Sequence, residues 1–229
     1  MKTHFCEKSV HTVAPFNRHK IRSLAMAAAG VFLLSGCFGG QPGRMTEQYA
    51  FDYAPPEQKA LTMLPETITV ERFSAAQLYN STAMVYQEGP GQRDQYVYHR
   101  WRINPADLVS DYLLRDLRSA NLFKGVFNYR SSESSRFQLE GDVEEFQELI
   151  EKEDHRAIVS LNATLIDTAR TGLPDRILFQ KNYMIEEPIE ENNPAGMAKG
   201  MSQAMAKVSK LLLSDIFSMC KQPSRKVND

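Results

Sequence analysis

The chain has 229 residues, 42% of them hydrophobic, with 27 Lys and Arg against 28 Asp and Glu and only three Cys. A formal charge of −1 lacks the basic footprint of a nucleic-acid binder. So few Cys leave the fold to stand on a hydrophobic core, which a chain of this length supplies for one sizeable domain.

Residues 1–22 carry Lys2, Lys8, Arg18, Lys20 and Arg22 against the single acid Glu7. An apolar run from Leu24 to Leu34 follows and ends in Ser35-Gly36-Cys37. Basic, apolar and small segments in that order describe a secretory signal. The run falls short of the ~20 residues of a membrane-spanning helix. Leu34-Ser35-Gly36-Cys37 has the form of a lipobox, at which a diacylglycerol is attached to the Cys37 sulfur and the chain is cut before it. The competing reading is an ordinary secreted protein with an incidental Cys. The length of the leader leaves open whether Met1 is the true start.

Maturation at Cys37 removes five bases and one acid, which leaves 193 residues with a charge of −5. Cys6 is lost with the leader and Cys37 is acylated (palmitate being the expected chain type), so Cys220 has no intramolecular disulfide partner. Phe38–Thr46 is a Gly/Pro-rich tether that reaches roughly 30 Å when extended. Two or more acyl chains hold a protein firmly, so the domain works close to its membrane. The expected organisation is a lipoprotein signal peptide over 1–36, lipidated Cys and flexible tether over 37–46, one domain over 47–220 and a disordered tail over 221–229.

Gln48–Tyr53 alternates weakly before Pro55-Pro56, as a short edge strand does. Thr67–Phe73 alternates as a half-buried strand. Thr82–Tyr86 and Gln95–Trp101 flank Glu88-Gly89-Pro90-Gly91, which predicts a hairpin. Asn104-Pro105 opens a helix as cap and first residue. Its apolar stripe is Leu108, Val109, Tyr112, Leu113, Leu117 and Ala120, spaced three and four apart. The helix stops near Asn121, and Lys124-Gly125 breaks the chain before a strand over Val126–Tyr129. Phe137, Leu139, Gly141 and Val143 alternate, with Phe146 out of step, which predicts a bulge near Glu144-Glu145. Val159, Leu161, Ala163 and Leu165 form the next strand face, and 170–174 turns into a last strand bearing Ile177, Phe179, Tyr183 and Ile185. Asn193-Pro194 caps a final helix with Met197, Met201, Met205, Val208, Leu212 and Ile216 on one side. The order β-β-β-β-α-β-β-β-β-α predicts an α+β fold, a largely antiparallel mixed sheet with two helices packed on one face.

No His/Cys cluster has metal-ligand spacing, no Gly-rich loop follows a strand and no nucleophile elbow is present. The expectation is therefore a non-enzyme with no metal and no cofactor. His99 and His155 read as surface or sheet-face residues, with a ligand or base role as the alternative. Glu144, Glu145, Glu148, Glu151, Glu153 and Asp154 read as the solvated side of a protruding hairpin, with cation binding as the alternative. On the last helix, Gly196, Gly200 and Ala204 recur beside Met197, Met201 and Met205. Either the helix packs tightly on its own sheet, or these Met form a hydrophobic groove for a lipid chain or partner helix. Trp101, Arg100 and Tyr98 are candidates for partner contact, because aromatics and Arg dominate interface hot spots. The alternative for Trp101 is a plug between the sheet and the first helix.

These residues together resemble the ABC-type transport auxiliary lipoprotein family, a group of MCE-transport-associated lipoproteins. The matching elements are Leu34-Ser35-Gly36-Cys37, Tyr49-Ala50-Phe51-Asp52-Tyr53-Ala54-Pro55, Ile68-Thr69-Val70 and Tyr98-His99-Arg100-Trp101 ahead of Asn104-Pro105. Leu113 through Phe123 into Lys124-Gly125-Val126 follows, and then the meander and terminal helix. Arg102-Ile103 departs from the acidic residue usual in the family after its Trp-Ala pair. The resemblance implies a non-catalytic auxiliary of an MCE/ABC-type lipid transport system. Its implied partners are an MCE-domain protein and the ABC permease and ATPase, and it leaves lipid cargo and homo-oligomerisation open. Phe38 stands where Asp usually retains lipoproteins at the inner membrane, which implies anchoring to the outer membrane, facing the periplasm. The alternative class is an envelope-assembly or structural lipoprotein, for example a lipopolysaccharide-insertion helper.

Overall fold

A computed structural model describes residues 44–57 and 62–221. The expected leader, Cys37, most of the tether and residues 222–229 lie outside the described residues. The described chain forms β1 (Glu47–Tyr49), β2 (Leu64–Val70), β3 (Ser74–Ala75), β4 (Ala83–Gly89), β5 (Gln92–Trp101), α1 (Pro105–Ser119), β6 (Phe123–Asn128), β7 (Phe137–Glu151), β8 (Asp154–Asp167), α2 (Leu173–Arg176), β9 (Ile177–Pro188) and α3 (Pro194–Cys220). It is an α+β fold with one mixed, nine-stranded sheet. The two long helices pack against it and meet each other where Ser209 Oγ donates to Asp116 at 2.6 Å.

The spine is β7. One of its edges pairs antiparallel with β8 along its whole length, from Phe137↔Asp167 to Glu151↔Asp154. The other edge is shared by three short strands in succession, all parallel to it. These are β2 at Ile68↔Phe137, β3 at Ser74↔Asp142 and β4 at Val85↔Gln147. Next, β6 adds parallel to β2, β5 antiparallel to β4, β1 parallel to β5, and β9 antiparallel to β8. The long pairings of the meander are antiparallel, and the short strands join it in parallel. At the centre, Gly141 lies under the Phe73 ring. A Cβ there would stand 2.1 Å from the Asn162 carbonyl oxygen and 2.6 Å from that ring, so the close approach requires glycine.

Local chemistry sets the element ends. Asn104 accepts from the Ala106 N–H at 2.9 Å, and Asn193 accepts from the Gly196 N–H at 2.8 Å. Each thereby satisfies one of the orphan donors of its helix. The register of β7 against β8 slips between Val143 and Glu145, where the out-of-step Phe146 predicts it, and the slip returns Phe146 to the core.

Several boundaries differ from expectation. The first strand is only Glu47–Tyr49, because Phe51 leaves the sheet to enter the core. Lys124-Gly125 does not break the chain. It lies inside β6, where Gly125 pairs with Thr67, and this neighbour overrides the weak strand propensity of glycine. β2 begins at Leu64 and carries Pro65 at an irregularity between Leu64 and Thr67, the kind of position where a strand tolerates proline. β3 and α2 have no counterpart in the expected order, being too short to show periodicity.

Candidate functional site

The N-terminal segment reaches the fold as β1, which pairs with β5 at Glu47↔His99, Gln48↔Arg100 and Tyr49↔Trp101. Residues 50–54 then run as a strap across both long helices. Asp52 N–H donates to Ser202 Oγ on α3 at 3.0 Å, and Arg115 on α1 donates to the Tyr53 carbonyl at 3.1 Å. Tyr112 donates to the Phe51 carbonyl. Tyr53 donates its hydroxyl to Asp116 at 2.8 Å, and Asp116 is fully buried. Arg115 stands over the Tyr53 and Tyr112 rings at 4.4 and 4.3 Å. Burial, then the Asp116 carboxylate, pushes the Tyr53 hydroxyl far above its ordinary range. Ser209 and Asp116 share a hydrogen bond with no imidazole between them, so this network holds elements together and offers no nucleophile–base pair.

The β4–β5 hairpin turns tightly at Pro90-Gly91, with Gly89 opposite Gln92. Between the pairs Val85↔Gln95 and Ala83↔Arg100 the register slips, so residues 96–99 face Met84 alone. The result is a large bulge. Its root is polar, since Tyr96 donates to Glu148 at 2.8 Å and the other Glu148 oxygen lies 2.6 Å from His155 Nδ1. Glu148 has no solvent exposure. Burial, then the Glu148 carboxylate, raises the Tyr96 hydroxyl well above its ordinary value. His99 lies at the bulge's far side, 3.3 Å from the Tyr49 hydroxyl. Burial and then Glu47 push that hydroxyl up to about 12. The tip of the bulge is apolar and outward, with Val97 68% and Tyr98 41% exposed.

The expected site residues therefore separate. Trp101 is a core residue, its ring against Phe146 at 5.1 Å and Phe51 at 6.2 Å, and so buried it offers no surface to a partner. Its position matches the plug reading. Tyr98 is exposed and Arg100 half-buried. Met197, Met201 and Met205 are fully buried under the sheet and leave no open groove. A Cβ on Gly200 would stand 2.9 Å from that of Ala157, so the small-residue row brings α3 close to β8. Glu148 is not on a solvated face as expected of the hairpin carboxylates, because the bulge in β7 turns it inward. The signal that could have found it is the register slip itself, which inverts the alternation of every residue beyond it.

Among the open grooves on the described residues, two flank the sheet and the strap. One, of about 480 Å³, is polar and runs over Glu71, Gln138, Glu140, Asp142 and Gln180. The other, of about 500 Å³, lies between Ala54-Pro55-Pro56 on the strap and Ala206, Lys207 and Lys210 on α3. Among the described residues no group of three His, Cys, Asp or Glu could hold a metal ion, and no helix is long and apolar enough to cross a membrane.

Comparison with known proteins bears on this arrangement. Three solved structures share the fold at low identity. A crystal structure of a Xanthomonas campestris protein of family DUF330 has 20% identity and a TM-score of 0.69, covering 78% of this chain and 99% of its own. An uncharacterized protein follows at 16% identity and a TM-score of 0.57, covering 75% and 99%. A hypothetical protein from Chlamydia trachomatis has 7% identity and a TM-score of 0.51, covering 69% and 100%. No curated protein matches in sequence. The profile of the ABC-type transport auxiliary lipoprotein component family matches residues 49–212, which takes in the strap, the bulged hairpin, the β7 spine and most of α3. The chain belongs to the family of ABC-type transport auxiliary lipoprotein components.

Proposed function

We propose that the mature chain is a periplasmic lipoprotein held to the outer membrane by acyl chains on Cys37, serving without catalysis as an auxiliary of an MCE/ABC-type intermembrane lipid transport system. The observation that carries this is one juxtaposition. A match to an ABC-transport auxiliary family over residues 49–212 begins 12 residues after the lipobox Cys37. Phe38 in place of Asp supports the outer membrane as destination. The partners are the MCE-domain protein and the permease–ATPase, which handle the lipid cargo. The described polar networks support a scaffold role, since their hydroxyls and carboxylates are engaged in holding strap, helices and hairpins together.

The test is fractionation combined with partner capture. Wild-type protein co-sediments with outer membranes and copurifies with the MCE-domain protein, Phe38→Asp moves it inward, and Cys37→Ala releases it unacylated. A Cys37→Ala chain that stays membrane-bound would sink the anchoring. Copurification with an outer-membrane assembly barrel in place of MCE components would sink the transport role.

A further inference from the structure

One border of the sheet is β9. It pairs with β8 from Ile177 to Pro188, and among the described residues no strand pairs with its other edge. An open edge of 12 residues is a template for another chain, and folded proteins usually blunt one with prolines or with charges on the edge. Here the single proline, Pro188, stands at the strand's end. The two charges of the helix-side row are drawn back onto α3, Lys181 to Asp215 at 2.6 Å and Glu187 to Lys207.

These two ion pairs bracket an apolar centre. Met184 lies midway between Lys181 and Glu187 on the strand, and Leu211 lies midway between Lys207 and Asp215, about one helical turn from each. Met184 is 49% and Leu211 48% exposed. Met184 alternates with buried Tyr183 and so points to the face away from α3. An exposed apolar side chain therefore flanks the open edge on each face of the sheet.

The order of charges is self-complementary. An antiparallel copy whose Met184 stands opposite this one's sets Lys181 against Glu187 of the second copy and Glu187 against its Lys181. On the helices, the same two-fold axis sets Lys207 toward Asp215 of the second copy and Asp215 toward its Lys207. The two Met184 side chains meet across the axis on one face, and the two Leu211 side chains on the other. Moving the centre by one residue sets Lys181 against Ile185 or Ile189 and loses both charge pairs. A patch that matches itself in this way is what a two-fold interface between identical chains requires.

We infer that a second copy of this chain pairs antiparallel along β9, about a two-fold axis at Met184 and Leu211. The contact uses the open β9 edge of both copies, so it closes at two chains.

The experiment uses the full chain in mild detergent, with its mass followed by analytical ultracentrifugation. The expected wild-type species is a dimer. Lys207→Glu and Asp215→Lys, both at solvent-accessible side chains, each set like charges across the axis and should weaken self-association about tenfold or more. Mixed together, the two variants restore opposite charges and should form a mixed dimer. Circular dichroism verifies that each variant is folded. Independently, in a Cys220→Ser background, oxidation should crosslink Met184→Cys chains in pairs. Asn182→Cys chains, whose partner across the axis is Glu186, should stay single, as should the background without an added Cys. A monomeric wild type overturns the proposal. Dimers that both charge swaps leave unweakened, or equal crosslinking at positions 182 and 184, put the contact elsewhere and also overturn it. Two swapped variants that lose the dimer yet fail to pair when mixed show a general loss of structure in place of charge matching, and overturn it as well.

Discussion

His155 Nδ1 stands 2.6 Å from a carboxylate oxygen of Glu148, and that carboxylate is closed off from solvent. Tyr96 supplies its second hydrogen bond, so one buried acid ties the β4–β5 hairpin to the β7–β8 hairpin. A buried charge is tolerable only when its oxygens are occupied in this way.

Glu148→Ala takes the shared acceptor from the Tyr96 hydroxyl and from His155, both partly buried. Leaving a polar group without its hydrogen bond costs about 1–3 kcal/mol, so urea unfolding should show a loss of that order. Glu148→Gln keeps an acceptor for Tyr96 and should cost clearly less. Equal losses for the two variants would show that neither side-chain volume nor the acceptor kept for Tyr96 counts here, only the carboxylate itself.

Trp101→Ala should destabilise the domain by about 3–5 kcal/mol, the range for a large aromatic removed from a core. Trp101→Phe costs less, because it keeps ring packing on Phe146 and drops an indole N–H that has no partner among the described residues. As the sole Trp of the chain, it also reports unfolding by a red shift of its fluorescence. A Trp101→Ala domain with an unchanged melting temperature would contradict its placement between sheet and helix.

Gly200→Val forces a branched side chain against the Ala157 Cβ, which a bare Cβ would already approach to 2.9 Å, and against Ile189. Overpacking of this kind costs about 1–3 kcal/mol and should lower the melting temperature while leaving the helical circular dichroism intact. Stability equal to wild type would mean that α3 rides farther from β8.

Asp167 has the opposite balance to most buried acids. Burial works to raise its pKa, but hydrogen bonds from Arg136, the Ala169 N–H and Arg170 outweigh it, so the value falls below the ordinary 3.8. A depressed folded-state pKa contributes stability that is fully present above the unfolded value and disappears as pH falls through the folded one. Urea melts between pH 6 and pH 3 should therefore show stability declining toward the acid end, and Asp167→Asn should flatten that slope. Asp142 and Asp111, raised chiefly by burial, pull the other way, so the difference between wild type and variant is the informative quantity. An identical slope in Asp167→Asn would remove this pair from the account.

Much of the fold was legible because it is written in short-range chemistry. Asn104 and Asn193 cap their helices through bonds to residues two and three positions on. Phe146 betrays the β7 bulge by breaking a two-residue alternation, and Pro90-Gly91 closes a hairpin on itself. The expected lipobox and tether are likewise contiguous, and the family resemblance assembled from such segments agrees with the profile match over residues 49–212.

What the sequence left open is what depends on distant neighbours. No local pattern says that β2, β3 and β4 share one edge of β7 in succession, since each parallel pairing joins segments separated by loops and a helix. Gly125 reads as a break until Thr67 lies beside it. Met197, Met201 and Met205 fit a groove or a core equally well until the sheet covers them. Trp101 and Tyr98 share one strand and one composition, yet the first is sealed against Phe146 and the second points outward, because a four-residue bulge lies between the paired ends of β5. Burial belongs to the assembled neighbourhood, and a side chain's own identity sets only what that burial costs or contributes.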